Sequence, residues 1–120
     1  CLMRKPRLQQ SFKNAFNGFF VLAKTERNFQ IHLSALAINI LLILFLKLTL
    51  HDAAIIILAC AFVMVAEILN TAIEKICDFV HPEFEPRIGL IKDIAAAAVL
   101  LATFAAVITG LLIYSKYLFH

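Results

Sequence analysis

The sequence predicts an all-α membrane protein, with one helix on the membrane surface and three helices that cross the membrane. The composition is the first reason: 62% of the residues are hydrophobic and only 16% are charged, whereas soluble domains are about half apolar and about a quarter charged. The second reason is that apolar residues form three runs long enough for the roughly 20 residues that cross the hydrocarbon layer. A chain of 120 residues leaves room for a single domain.

Residues 5–25 are predicted to form an amphipathic helix at the membrane surface. Apolar residues recur along one side at helical spacing: Phe12, Phe16, Phe19 and Ala23. Polar residues occupy the other side: Gln10, Lys13, Asn14, Asn17 and Lys24. Aromatic rings on one face and lysines on the other are typical of a helix in the headgroup layer. The alternative is a helix that packs on a partner.

Three segments are predicted to span the membrane. They cover residues 29–50, 53–80 and 88–115. We expect a short turn around His51 and Asp52 between the first two segments, and a polar loop over 81–87 between the last two. Two prolines in this loop, Pro82 and Pro86, stop helix propagation.

Two features predict how the spanning helices pack. Asn39 lies within the first span, and we expect it to hydrogen-bond to a neighbouring helix. Small residues recur at every fourth position of the last span and favour close helix approach: Ala98, Ala102, Ala106 and Gly110. Because so short a chain buries only a modest core across a bilayer, we expect several copies to associate.

The basic residues predict the orientation of the chain. Nine of them belong to one side, in the N-terminal segment or near the 81–87 loop: Arg4, Lys5, Arg7, Lys13, Lys24, Arg27, Lys75, Arg87 and Lys92. Only Lys47 and Lys116 belong to the other side. This excess places the N-terminus and the loop in the cytoplasm, where ATP is available.

Other partners are disfavoured by the same composition. Without a soluble domain, the basic N-terminal segment favours a membrane surface over nucleic acid. The three cysteines, Cys1, Cys60 and Cys77, lack metal-ligand spacing, so we expect neither a disulfide nor a cysteine metal site. The polar, basic start predicts no cleavable signal peptide.

The second span is apolar up to Glu67, where one face becomes polar. From there, polar residues recur at spacings of three and four and share one helix face: Glu67, Asn70, Thr71, Glu74 and Asp78. The 14 apolar residues before Glu67 place it about 21 Å from the outer helix end, and the hydrocarbon is about 30 Å thick. We therefore expect Glu67 at or just inside the inner boundary, where a carboxylate is costly unless it faces a polar cleft or a subunit interface.

Two further segments bring charged residues to the same level. Glu26 closes the surface helix, and Lys92 and Asp93 begin the last span. Clustered carboxylates repel each other and would repel a polyphosphate, and Mg²⁺ bound jointly by protein and phosphates would relieve both problems. The residues therefore favour an acidic, metal-binding interfacial site, with the solvated end of a long helix as the alternative. The sequence has no P-loop and no glycine-rich kinase loop.

One signature indicates a family. It consists of Glu67-Ile-Leu-Asn-Thr-Ala-Ile-Glu74, then Asp78, then Lys92-Asp93-Ile-Ala-Ala-Ala-Ala-Val-Leu. This pattern closely resembles that of the prokaryotic diacylglycerol kinases. The resemblance extends back through Glu26-Arg-Asn-Phe, Gly18 and Arg7, and so covers most of the chain.

The resemblance implies a single lipid-kinase domain over residues 1–120, a homotrimer in the bacterial cytoplasmic (inner) membrane. It implies transfer of the γ-phosphoryl group of ATP, with Mg²⁺, to a membrane lipid alcohol. Glu67 is the implied general base, and Glu26 and Glu74 are the implied Mg²⁺ ligands. Asn70 is expected to orient Glu67 or the substrate, and Asp78 to support the site.

The resemblance also implies two sets of binding residues. Those for the nucleotide are Arg7, Asn14, Glu26, Glu74, Glu83, Phe84, Glu85, Lys92 and Asp93. Those for the lipid are Arg7, Phe29, Gln30, His32, Glu67 and Asn70. Lys92 is expected to neutralise phosphate charge during transfer.

Two departures from the family pattern bear on the ligands. Members that prefer diacylglycerol carry an acid six residues after the first-segment glutamate, where this chain has His32. Its Glu26-Arg-Asn-Phe-Gln-Ile-His32 run resembles the undecaprenol kinases instead, which favours the prenol over diacylglycerol. The alternative for His32 is a polar residue at a helix start. Asn14 replaces an aromatic residue found in some relatives.

A non-enzymatic role is the alternative to the kinase. The acidic stripe of the second span could serve as the cation site of a small membrane subunit. A transport path would need polar residues through the outer halves of the spans, and these halves are apolar apart from Asn39 and Thr109. This pattern favours the enzyme.

Overall fold

The computed structural model describes residues 7–119 as four helices in chain order. They are α1 (Leu8–Thr25), α2 (Arg27–Leu46), α3 (Leu50–Val80) and α4 (Pro86–Leu118). The last three are long and apolar enough to cross a membrane, which confirms the predicted all-helical class with three apolar spans. Residues 5 and 6, at the predicted start of the surface helix, and Cys1 lie outside the described residues.

A bend at Glu26 separates α1 from α2. The backbone of Glu26 is extended, with φ −103° and ψ 114°, so α2 begins at Arg27 rather than at the predicted Phe29. Phe29 is completely buried and packs edge-to-face on Phe19, with ring centroids 5.2 Å apart. The Gln30 side chain donates a 3.0 Å hydrogen bond to the carbonyl of Ala23. These contacts join the end of α1 to the start of α2 and place Glu26 at the bend.

The turn between α2 and α3 covers residues 47–49, not His51 and Asp52 as predicted. Lys47 adopts the left-handed conformation, with φ 55° and ψ 53°, and the Leu48 N–H donates to the carbonyl of Ile43. This is the Schellman pattern that ends a helix. The Thr49 hydroxyl then accepts a 3.2 Å hydrogen bond from the Asp52 N–H and caps α3. His51 and Asp52 therefore lie in the first turn of α3.

A buried cluster around Asp52 ties this turn to the end of α4. Asp52 is 6% exposed, and its carboxylate accepts hydrogen bonds from the Tyr117 hydroxyl at 2.6 Å and from Lys116 Nζ at 3.0 Å. The same hydroxyl accepts from the Thr49 N–H at 3.2 Å. A buried carboxylate is tolerated when charges and donors satisfy it, so the cluster fixes one end of the bundle.

Asn39 forms the predicted interhelical hydrogen bond. Its Oδ1 accepts from the Tyr114 hydroxyl of α4 at 2.7 Å, and its Nδ2 donates to the carbonyl of Ala35 at 2.7 Å. Both groups of the amide are therefore satisfied within the apolar bundle. Of the small residues of α4, Ala102 is buried and Ala98 is exposed.

Replacing Phe29 should loosen the junction between α1 and α2. We expect Phe29→Ala to lower the free energy of unfolding by about 3 kcal/mol, because removing a fully buried ring leaves a cavity. Equilibrium unfolding in detergent micelles measures this change. The control is Phe45→Ala, which removes a ring that is 81% exposed near the other end of the same helix. Equal losses in the two variants would contradict the assigned packing role of Phe29.

Candidate functional site

Three consecutive polar positions on one face of α3 are buried. Glu67 is 4% exposed, Asn70 is 6% exposed and Thr71 is 8% exposed. Their spacing of three and four residues places them on the side of α3 that faces the other helices. Buried polar groups on an apolar spanning helix are costly and mark a functional site in most membrane proteins.

His32 of α2 approaches the buried carboxylate. Its Nε2 lies 3.7 Å from Oε2 of Glu67, and the His32 side chain is 21% exposed. This separation is too long for a direct hydrogen bond, so the Glu67 oxygen keeps the capacity to accept a proton from a ligand. The packing of α2 on α3 thus brings together two predicted lipid-site residues from different helices.

One turn further, Asn70 links the buried face to Glu74. Its Nδ2 donates a 2.7 Å hydrogen bond to Oε1 of Glu74. Its Oδ1 is buried and has no hydrogen-bond partner within the described protein. A buried acceptor without a donor is unfavourable, so this oxygen marks a place where a ligand hydroxyl or a cation fits.

An ion pair places Glu26 beside the same part of α3. Oε1 of Glu26 lies 3.2 Å from Nζ of Lys75, the residue after Glu74. The bend between α1 and α2 therefore lies at the level of the predicted metal ligand Glu74. Sequence reasoning treated Lys75 only as a charge that sets orientation. The opposite charges of the neighbouring Glu74 and Lys75 at the polar end of α3 were the sequence feature that could have indicated this ion pair.

The predicted Mg²⁺ ligands fit a shared mode of metal binding, not an all-protein cage. Within residues 7–119, no three His, Cys, Asp or Glu side chains lie close enough together to hold a metal ion. Mg²⁺ commonly takes one or two carboxylates and completes its shell with water and substrate phosphates. The carboxylates of Glu26 and Glu74, together with the unpartnered oxygen of Asn70, fit that mode.

A polar cavity of about 340 Å³ lies where α3 ends and α4 begins. Its lining includes Asp78, His81, Glu83, Phe84, Glu85, Lys92 and Asp93. All five nucleotide-site residues predicted after Glu74 therefore line one cavity. Lys92 Nζ forms an ion pair with Asp78 across it, which joins the two helices and gives Asp78 a supporting contact.

Glu85 shapes the cavity by capping α4. Its Oε2 accepts hydrogen bonds from the backbone N–H groups of Arg87 at 2.6 Å and Ile88 at 3.2 Å, and Pro86 occupies the first helical turn. Partial burial raises the pKa of Glu85, but the hydrogen bonds from the Arg87 side chain and the two backbone groups outweigh it. The pKa of Glu85 therefore lies below its ordinary value.

Other predicted site residues lie apart from this arrangement. Arg7, just before α1, and Asn14 on α1 are exposed. Across residues 7–119 no side-chain hydrogen bond or ion pair joins them to α3 or α4, and Asn14 accepts a hydrogen bond from Gln10 instead. Phe29 is buried beneath Phe19, and the Gln30 side chain is bonded to the α1 backbone.

Comparison with known proteins identifies relatives along most of the chain. Residues 13–114 match the prokaryotic diacylglycerol kinase family. The chain is 35% identical over 108 residues to undecaprenol kinase of Bacillus subtilis, covering 90% of this chain and 88% of that protein. It is 39% identical over 106 residues to diacylglycerol kinase of Synechocystis sp., covering 88% of this chain but only 61% of that relative's length.

A third relative matches over a shorter part of the chain. The chain is 49% identical over 47 residues to diacylglycerol kinase of Escherichia coli, which covers 39% of this chain and 38% of that protein. Together with the family match, these relatives confirm the resemblance inferred from the sequence.

Removing the Glu85 cap should loosen the start of α4. We expect Glu85→Ala to speed amide hydrogen exchange at Arg87 and Ile88, because both N–H groups lose their acceptor. In the unmutated protein the pKa of Glu85 is lowered on folding. Its stabilising effect is therefore complete above the ordinary carboxyl pKa and is lost as pH falls through the lowered value. Glu83→Ala, exposed in the same loop, is the control, and equal exchange in both variants would refute the cap.

Proposed function

The chain belongs to the prokaryotic diacylglycerol kinase family, and on that premise we propose that it phosphorylates a membrane lipid alcohol with ATP. The lipid is diacylglycerol or undecaprenol. The observation that carries the proposal is the burial of Glu67 on a spanning helix, one turn from a buried Asn70 oxygen without a partner. A lipid hydroxyl brings both a proton for the carboxylate and a polar group to that position.

Glu67 acts as the general base. It removes the proton of the lipid hydroxyl as the hydroxyl oxygen bonds to the γ-phosphorus, while the bond from that phosphorus to the β-phosphate oxygen breaks and ADP departs. In a buried site the carboxylate is shielded from bulk water, which favours its positioning against the hydroxyl. His32 of α2 lies 3.7 Å from this carboxylate, close enough to contact a substrate that is bound there.

The loop cavity binds the nucleotide. Its acidic and aromatic residues surround Lys92, whose charge neutralises phosphate as the γ-phosphoryl group moves. Glu26 and Glu74 would hold Mg²⁺, which would supply charge neutralisation between the phosphates and the carboxylates. Asn70 positions Glu74 through its 2.7 Å hydrogen bond. Glu67 and Asp78 are eleven residues apart, about 16 Å along α3, so the phosphates extend from the loop towards Glu67.

The membrane arrangement follows from the same premise. The aromatic face of α1, with Phe12, Phe16, Phe19 and Phe20 around a shallow groove, lies in the headgroup layer. The nucleotide cavity and the N-terminus face the cytoplasm of a bacterial inner membrane. The chain assembles as a homotrimer, in which Arg7 and Asn14 of one copy reach the nucleotide site of a neighbour.

The identity of the lipid depends on His32. The relatives divide between a diacylglycerol kinase and an undecaprenol kinase. His32 faces Glu67, where the acid of diacylglycerol-preferring members would place a second negative charge. An imidazole at this position favours undecaprenol as the substrate.

Replacement of the proposed base should abolish transfer. We expect Glu67→Gln to lower kcat by about 10²- to 10⁴-fold, the usual contribution of a general base. The assay follows phosphate transfer from labelled ATP, with Mg²⁺, to diacylglycerol and to undecaprenol in mixed micelles. His51→Gln, exposed at the opposite end of the bundle, is the control and should keep full activity. A folded, assembled protein that phosphorylates neither lipid would refute the kinase and favour a non-enzymatic cation site.

The proposed metal ligand should change the Mg²⁺ requirement. Glu74→Gln retains an acceptor for the Asn70 amide but loses the negative charge. We expect the Mg²⁺ concentration for half-maximal activity to rise about tenfold or more, and saturating Mg²⁺ to restore part of the rate. A titration of activity against Mg²⁺ at fixed ATP measures this. An unchanged titration curve would remove Glu74 from the set of ligands.

A further inference from the structure

A partly open cleft begins beside the candidate site and runs along the bundle. It lies between α2, α3 and α4 and has a volume of about 250 Å³. One end is lined by His32, which also lies 3.7 Å from Glu67. Along α2 the cleft continues past Ala35 to Asn39, seven residues and about 10 Å further along the helix axis. The cleft therefore connects the buried carboxylate to the apolar part of the protein.

Small side chains leave the space open. Three helices contribute them: Ala35 from α2, Ala59 from α3, and Ala106 and Gly110 from α4. At Gly110 an added Cβ would meet only a ring carbon of Tyr114, at 3.9 Å. Close helix packing thus does not require glycine there, and the missing side chain instead enlarges the cleft.

The far end of the cleft is closed by a satisfied polar pair. Asn39 accepts a hydrogen bond from the Tyr114 hydroxyl and donates one to the carbonyl of Ala35. The amide therefore needs neither water nor a polar ligand as a partner. The remaining walls are mostly hydrocarbon, and such a space suits an apolar occupant.

We propose that this cleft binds the hydrocarbon chain of the lipid alcohol, next to its reacting hydroxyl. The proposal rests on the kinase function proposed above. A lipid whose hydroxyl lies at Glu67 must direct its chain towards the middle of the bilayer. Three of the α3 residues that line the cleft, Val63, Cys60 and Ile56, lie four, seven and eleven residues before Glu67 in that direction.

The dimensions of the cleft select a single chain. A volume of about 250 Å³ and a length of about 10 Å leave room for part of one hydrocarbon chain. A prenol would place the start of its only chain there. A diacylglycerol would place one acyl chain there and leave the other in the surrounding lipid.

Filling the cleft should impair long-chain substrates selectively. Ala35→Leu and Gly110→Leu fill it from two different helices. Ala37→Leu is the matched control, because Ala37 is exposed on the same helix and outside the cleft lining. The substrates are dioleoylglycerol with diacetylglycerol, and undecaprenol with 3-methylbut-2-en-1-ol, because these short alcohols cannot extend along the cleft. For the class that the protein phosphorylates, both cleft variants should lower the long-to-short ratio of kcat/KM about tenfold, whereas Ala37→Leu should leave it unchanged.

A photolabelling experiment separates failure of the cleft from failure of the kinase. A lipid alcohol with a diazirine in its chain is irradiated with the unmutated protein, and the labelled residues are mapped by mass spectrometry. Labels on cleft residues such as Cys60 and Ala106, lost in Ala35→Leu and displaced by unlabelled lipid, support the cleft even if no phosphate is transferred. Labels confined to lipid-facing residues such as Leu44 and Phe62, or an unchanged kcat/KM ratio in both cleft variants, would overturn the proposal.

Discussion

The structure depends on the burial of a carboxylate in a helix that is apolar enough to cross a membrane. Glu67 is 4% exposed, and an acidic group at this depth is unfavourable unless other groups compensate it. The nearest group that could compensate it is His32 of α2, 3.7 Å away, and the polar face continues along α3. The packing of α2 on α3 is therefore tied to the chemistry of the site.

The buried acids Asp52 and Glu67 differ in how fully the surrounding side chains satisfy them. At one end, Asp52 accepts hydrogen bonds from Tyr117 and Lys116. These contacts satisfy its carboxylate and join the start of α3 to the end of α4. At the other end, residues 7–119 offer Glu67 only a distant imidazole and offer no donor to the buried oxygen of Asn70. A satisfied cluster rigidifies a structure, whereas an incompletely satisfied one retains capacity for a ligand. This contrast distinguishes the end of the bundle that protein contacts satisfy from the part that retains capacity for a ligand.

Breaks between helices position the charged residues of the site. The extended backbone at Glu26 lets this residue reach Lys75 of α3. The loop after Val80 folds back, so that Glu85 caps α4 and Lys92 meets Asp78. Each break occurs where helical hydrogen bonding stops, and polar side chains are needed there to satisfy the free backbone groups. Glu85, Lys92 and Asp78 thus also line the cavity between the end of α3 and the start of α4.

The sequence by itself determined the features that depend on local periodicity and composition. Three apolar runs specified the spans, the spacing from Glu67 to Asp78 specified one polar face, and Asn39 was recognised as an interhelical donor or acceptor because an amide in hydrocarbon needs a partner. The resemblance to the family, not spacing or periodicity, grouped the loop residues with Lys92 and Asp93, and all of them line one cavity.

Only the tertiary structure decided which groups are partners. The pairs His32–Glu67, Glu26–Lys75 and Asp52–Lys116 join residues 35, 49 and 64 positions apart, and no local pattern encodes such distances. The turn at 47–49 was missed because a lysine in the left-handed conformation carries no sequence signal of the kind that glycine gives. The cleft below His32 likewise exists only once three helices have packed, because its volume is the space that their small side chains leave between them.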